Sequence, residues 1–279
     1  MPQKTEAPDW SKDRGDSWRD HLTPLEAMLA PVTAPLIKAL DLRTPLRIAD
    51  IGCGGGETSL EIAKASAAGS TVDGFDISPA LVKAASAKEA YGDVRPQFHI
   101  ADAQQPPATK ASFDRLTSRF GIMFFPDHEI AFQNLATWLA PEGQFAFAVW
   151  GPPEDNPWMT SIRKTVSDHI VLPTPAPDGP GPFRYRDADQ FMILLRQSGF
   201  SQVESKSWRD QLAIGGGMDP SAAAEFALSA FSAGQLLNSS DQLTAKAARR
   251  DLEALFSDSV SDGQVRMDAH VHIVTGQKA

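Results

Sequence analysis

Cysteine is nearly absent. Cys53 is the single one in 279 residues, so the chain can form neither an internal disulfide nor a thiolate metal cluster, and relay chemistry that needs several thiols is excluded. Positive charge is also short. Twenty-six Lys plus Arg against 35 Asp plus Glu leave a formal net charge of -9, the wrong sign for a surface that must neutralise a run of phosphates, and no nucleic-acid partner is expected. Long apolar runs are missing: the longest covers residues 145–150, against the roughly 18–20 residues a membrane-spanning helix needs, so no membrane partner is expected. Lys4, Glu6 and Asp9 interrupt the stretch where a signal peptide would be apolar, and a cytoplasmic location is the expectation. No internal repeat is visible. What the chain does have is length and apolar content, 42% hydrophobic residues, enough for one large domain or two small ones with a core that needs no covalent staple.

The polar start gives way to a helical pattern in which Leu25, Met28, Leu29, Val32, Leu36 and Leu40 recur at three- and four-residue spacings, while Pro24, Pro31 and Pro35 predict several short helices over 1–45. From residue 46 strand-like runs (46–51, 71–76, 97–101, 113–117, 144–150) alternate with helical ones (58–66, 79–90, 129–139). This is the pattern of βαβ units on a parallel sheet. Prolines 173, 175, 177, 180 and 182 then crowd the stretch 151–182, which predicts an irregular excursion. A helix over 187–198 stopped by Gly199, a strand over 202–214 and a helical pair over 222–237 and 243–256 follow. The closing run alternates Val265, Met267, Ala269, Val271 and Ile273 with Arg266, Asp268, His270 and His272, a strand with one expected wet face.

Chemistry enters at Asp50-Ile51-Gly52-Cys53-Gly54-Gly55-Gly56-Glu57, where a strand turns into a helix and bare backbone can approach a ligand. A dinucleotide fingerprint G-x-G-x-x-G would need glycine where Glu57 stands. The pattern present is D-x-G-x-G-x-G. Downstream, Asp76 ends the second strand, where a carboxylate can accept two ribose hydroxyls. Ser78-Pro79 caps the next helix, and Asp102-Ala103 ends the third strand.

These motifs resemble those of class I S-adenosylmethionine (SAM)-dependent methyltransferases. The runs 118–127, 131–135, 139–143, 147–150 and Asn156-Pro157-Trp158 are similar to a bacterial subfamily related to the ubiquinone- and menaquinone-biosynthesis C-methyltransferases, whose N-terminal aromatic lid Trp10 and Trp18 resemble. The resemblance covers about residues 10–215. It implies an α/β, Rossmann-like fold with a mostly parallel seven-stranded sheet, the last strand antiparallel, and a helical cap. One domain is then expected, with 46–150 as the cofactor half and 1–45, 151–186 and 215–263 as cap. It also implies SAM as cofactor, held by Asp50, Gly52, Cys53 and Gly54 at its methionine end, Asp76 and Ile77 at the ribose, Asp102 and Ala103 at the adenine, with Ser118 and Trp18 alongside. No metal is expected: His270 and His272 have no third ligand by spacing.

The expected acceptor is a small or medium-sized, partly apolar organic molecule methylated on oxygen or nitrogen, bound by a monomer or homodimer. Phe120, Met123, Trp150, Trp158 and Phe226 are candidates for its pocket. Carbon methylation of a quinone-like ring, carboxyl methylation of a peptide, and a SAM-binding sensor or scaffold without turnover are the alternatives. Methyl transfer from a sulfonium is an in-line displacement that positioning alone accelerates, and a base is needed only for a protonated acceptor. The candidates for charge are Arg119, which can pair with an acceptor carboxylate or anchor a neighbour such as Asp127, and His128, which opens the helix after the fourth strand. His21 lies in the lid. Cys53 fits the glycine turn as a small packed residue.

Overall fold

A computed structural model describes residues 9–90, 92–105, 112–174, 176 and 178–279; Lys4, Glu6, Pro175 and Pro177 lie outside them. The order is α1 (Asp13–Asp20), α2 (Leu22–Leu40), β1 (Arg47–Ile51), α3 (Glu57–Ala65), β2 (Thr71–Asp76), α4 (Pro79–Ser86), β3 (Gln97–Ile100), β4 (Phe113–Arg119), α5 (His128–Trp138) and β5 (Leu139–Trp150). Then come α6 (Pro157–Ser167), α7 (Ala188–Gln197), β6 (Phe200–Ala213), α8 (Pro220–Ala230), α9 (Ser232–Gln235), α10 (Gln242–Ser257), β7 (Val260–Ser261) and β8 (Gln264–Lys278).

The sheet runs β3-β2-β1-β4-β5-β8-β6, with the two-residue β7 forming a hairpin on β8. β1 to β5 pair in parallel and β8 runs antiparallel between β5 and β6. This is the expected mostly parallel seven-stranded α/β sheet with its last strand reversed. Parallel strands need helices on both faces, and the runs Phe145 to Trp150 and Ala269 to Val274 are buried throughout.

Three expectations need correction. Helix α2 is continuous over 19 residues with Pro31 and Pro35 inside it. Its buried stripe, Leu25, Met28, Leu29, Val32, Leu36 and Leu40, lies across β4, β5, β8 and β6, and burial on that scale outweighs the hydrogen bonds the two prolines remove. The stretch 151–182 is not wholly irregular, because Pro157 occupies the first helical position of α6, where its missing N–H is no loss. Asn156 pins the start: its Nδ2 donates to Pro152 O at 3.0 Å and its Oδ1 accepts from His270 N at 3.0 Å. His270 and His272 do not sit on a wet face. They are buried, at 3% and 7% exposure, because β8 is an inner strand. His270 Nδ1 meets Asp155 Oδ2 at 2.9 Å and its Nε2 meets Ser207 Oγ at 3.0 Å.

Candidate functional site

The glycine turn is pulled across the sheet by its own backbone. Gly52 N and Cys53 N both donate to Phe75 O, at 2.7 and 3.1 Å, tying the end of β1 to β2. Gly52 has φ +66°, and a Cβ there would stand 2.8 Å from the Cα of Gly121 at the end of β4, so two strand ends meet where no side chain fits. Gly54 N donates to Asp76 Oδ2 at 2.8 Å and Ser78 N to Oδ1 at 2.8 Å, while Ser78 Oγ accepts from Leu81 N and caps α4. The glycine turn, the acid at the end of β2 and the following cap are thus one hydrogen-bonded unit. Burial pushes the Asp76 carboxyl above its usual range. An ionised carboxylate offers about four acceptor positions, so two remain for donors such as vicinal hydroxyls. Next to it Ile77 stays exposed at 38%.

Asp50 lies beneath the turn, 1% exposed. Its Oδ2 accepts from Ser59 Oγ at 2.6 Å, while its Oδ1 and the buried Ser118 Oγ have no hydrogen-bond partner among the described residues. Burial raises the Asp50 pKa to about 6, against the opposing effects of the Ser59 hydroxyl and the Arg119 charge, and the Glu26 and Asp76 charges add to the rise. Buried acceptors without donors are costly. A carboxylate oxygen and a hydroxyl in that state fit the ammonium group at the methionine end of SAM, and the glycine turn gives its backbone room. Cys53 is a buried free thiol whose pKa burial raises well above normal, the opposite of an activated nucleophile.

Other expected residues lie differently. The turn after β3 uses Asp102, whose Oδ1 accepts from Gln104 N at 2.9 Å, and Ala103, whose carbonyl accepts from Asn134 Nδ2 at 2.7 Å. Arg119 does not anchor Asp127, which instead caps α5. It is ion-paired with Glu26 of α2, with both side chains largely buried, and donates to Thr33 Oγ1 at 2.8 Å. Its guanidinium is therefore committed to α2, beside Asp50. His128 Nδ1 lies 3.3 Å from the hydroxyl of buried Tyr185, and burial lowers its pKa, with the Arg184 charge adding.

The expected pocket residues fall on one chain of aromatic rings. Phe120 stacks on Trp150 at 4.1 Å and 5°, Trp150 meets Trp158 at 5.3 Å, Trp158 meets Phe231 at 5.4 Å, Phe231 meets Phe226 at 5.6 Å, and Phe226 meets His21 at 6.2 Å. Phe120 has φ +70°, a conformation that costs a non-glycine residue about 1–3 kcal/mol and points to a positional demand at the end of β4. Met123 is fully buried, and its carbonyl accepts from Gly181 N at 3.1 Å. Helix α1 closes the site. Gly15 packs so tightly that a Cβ there would lie 2.3 Å from Ser78 Oγ. On its other side His21 Nε2 meets Ser229 Oγ of α8 at 3.0 Å, and Arg14 Nη1 donates to Ala230 O at 3.2 Å. The sequence reading missed Glu26, Thr33, Ser59, Arg14 and Gln235. Of these Arg14 carried a legible signal: it stands four residues from both Trp10 and Trp18, on one face of a helix.

Residues 48–143 match the family described as a methyltransferase domain. The chain spans about half the length of the curated relatives it matches first, uncharacterised proteins of Mycobacterium tuberculosis, 31% identical over 131 residues, 47% of each chain. The 27-O-demethylrifamycin SV methyltransferase of Amycolatopsis mediterranei is 28% identical over 211 residues, covering 68% of this chain and 70% of that protein. The demethylmenaquinone methyltransferase of Thermus thermophilus is 34% identical over 119 residues, 42% and 54% of the two chains. Among solved structures, phosphoethanolamine N-methyltransferase 2 of Haemonchus contortus, in complex with phosphomonomethylethanolamine and S-adenosylhomocysteine, shares the fold with a TM-score of 0.56 at 16% identity, covering 100% of this chain and 61% of that one.

Proposed function

We propose that this chain, whose residues 48–143 match a methyltransferase domain, is a class I SAM-dependent methyltransferase that transfers the SAM methyl group to an oxygen or nitrogen of a small or medium-sized, partly apolar organic acceptor. The observation that carries this is the pair of orphaned buried acceptors, Asp50 Oδ1 and Ser118 Oγ, beside a glycine turn locked to Asp76. Asp50 and Ser118 hold the cationic methionine end, Asp76 the ribose, and Asp102 with Ala103 the adenine edge. When bound, SAM supplies an electrophilic methyl on a sulfonium. The protein orients the acceptor against it and excludes water, for which the aromatic chain and the α1 lid are suited. Arg119 acts through α2, holding Glu26 and with it that helix beside Asp50. His128 faces Tyr185, so proton removal is not assigned to it, and an acceptor that needs no base is favoured.

The 70% coverage of an enzyme named for a 27-O-demethyl substrate supports oxygen as the reacting atom. Carbon methylation of a quinone-like ring is the second reading, favoured by the 34% identity to the Thermus enzyme. The deciding experiment incubates the protein with methyl-labelled SAM and host extract and identifies the labelled product by mass spectrometry. A labelled small molecule with an O- or N-methyl group is expected. A C-methylated ring product selects the second reading. Tight SAM binding with no labelled product from any fraction overturns both and leaves a sensor or scaffold.

A further inference from the structure

Arg14 is a half-buried cation. Among the described residues no carboxylate pairs with it, although its helix neighbours Lys12 and Arg19 both form ion pairs. Its guanidinium lies over the rings of Trp10 and Trp18, at 5.3 and 5.7 Å. Both of its hydrogen bonds leave from Nη1, to Ala230 O and to Gln235 Oε1 at 3.3 Å. Gln235 is itself fixed, donating through Nε2 to Ser17 Oγ and to Ser229 O. One corner of the fork is therefore held rigidly, while Nε and Nη2 have no partner among the described residues. Ala230 precedes Phe231, a link in the aromatic chain, so the held Nη1 corner sits next to that chain.

Donors are in surplus around it. The buried Nε1 atoms of Trp10 and of Trp158, whose ring packs on Phe231, have no partner among the described residues. Partial desolvation of the Arg14 charge lowers its pKa and is unfavourable, and an anion beside it offsets that cost. A carboxylate matches the planar Nε/Nη2 edge in bidentate fashion. Arg119, the other buried arginine of the site, has Glu26 and is not free for this.

We propose that Arg14 is the specificity-determining anchor for a carboxylate carried by the acceptor, whose apolar body lies against Phe231, the half-buried ring of the aromatic chain. This rests on the acceptor side of the proposed function and names the substrate class: aromatic or similarly apolar carboxylates. The test uses the full chain and the matched probes 2-naphthoate and 2-naphthamide, titrated calorimetrically with and without S-adenosylhomocysteine. Wild type is expected to bind the carboxylate about 10-fold or more tightly than the amide, the scale of a charge-assisted hydrogen bond. Arg14→Gln is expected to remove the preference while leaving the amide affinity unchanged. Arg14→Lys, which keeps the cation and loses the fork, is expected to retain part of it, and carries the test if the Gln variant does not fold. Equal or absent binding of the two probes to wild type, or a preference that survives Arg14→Gln, overturns the proposal. Failure to bind S-adenosylhomocysteine overturns the cofactor reading alone, because the carboxylate preference is scored separately.

Discussion

The glycine-turn end of the site is assembled from neighbours: Asp50 to Ser59 on one turn and helix, Asp76 and Ser78 at the end of the adjoining strand β2, Ser118 on β4 at the other side of β1. The acceptor end is assembled from strangers. Arg14 and Gln235 stand 221 residues apart in sequence, and the aromatic chain draws on β4, β5, α6, α8 and the α8–α9 junction. At the first end polar side chains are buried with acceptors to spare. At the second, rings dominate and donors are to spare. On the proposed reading, that difference in chemistry assigns the first end to a cation with hydroxyls and the second to an apolar body with an anion. It also sets how each fails. Removing a group from the turn should cost cofactor binding and fold together, whereas trimming the aromatic chain should cost the acceptor alone.

The sharpest break of that contrast is Asp76→Ala. Two charge-assisted hydrogen bonds to the ribose hydroxyls are lost, and SAM affinity by calorimetry should fall by roughly 100-fold or more. Unchanged affinity would remove Asp76 from the cofactor site.

Asp50 offers a test by pH. Its folded-state pKa of about 6 lies above the 3.8 of an unperturbed aspartate, so the carboxyl binds its proton more tightly in the folded than in the unfolded chain. The associated stabilisation is fully present below about pH 4 and is lost as the pH rises through about 6, a total of about 3 kcal/mol. Cofactor affinity should move the other way, rising between pH 5 and 7 as the carboxylate ionises to meet the ammonium. In Asp50→Asn both trends should flatten in urea melts and titrations. A wild-type affinity independent of pH over that range would show that Asp50 does not face the cationic group.

Gly52→Ala forces a side chain into φ +66° and against Gly121, and should destabilise by about 2 kcal/mol in chemical denaturation. Phe120, at φ +70° already, tolerates its conformation because stacking on Trp150 offsets it, so Phe120→Gly should cost acceptor affinity more than stability. The mildest change is Trp158→Phe, which keeps most of the apolar body and removes an orphaned N–H. The acceptor KM should rise a few-fold with SAM affinity intact. A loss of SAM affinity there would break the division between the two ends.

Much of the turn end was legible from sequence, because its parts are local. Glycines that must accept positive φ, an acid at a strand end and a Ser-Pro cap are each specified within a few residues, and the structure joins them by hydrogen bonds. Its partners across the fold were not legible. Glu26 reads as an ordinary helical acid until α2 lies along the sheet and meets Arg119, and the pairing of Arg119 with Asp127 weighed from sequence gave way to it. The prolines of α2 misled because propensity is local while the burial that overrides it is tertiary. His270 and His272 misled because alternation shows two faces of a strand and cannot show whether both are covered.

By itself, the sequence determined the class of sheet, the place where a strand opens into a backbone-lined turn, and, with one cysteine, the absence of an internal disulfide. Those depend on periodicity, spacing and composition, which act over a few residues or over the whole chain. Tertiary structure alone decided that, among the described residues, Asp50 Oδ1 and Ser118 Oγ are left without donors, Arg119 is ion-paired and Arg14 has no carboxylate partner. Whether a charge is paired depends on which distant element packs beside it, and the energy that selects that packing is the burial of the apolar stripes, to which the charges themselves contribute little.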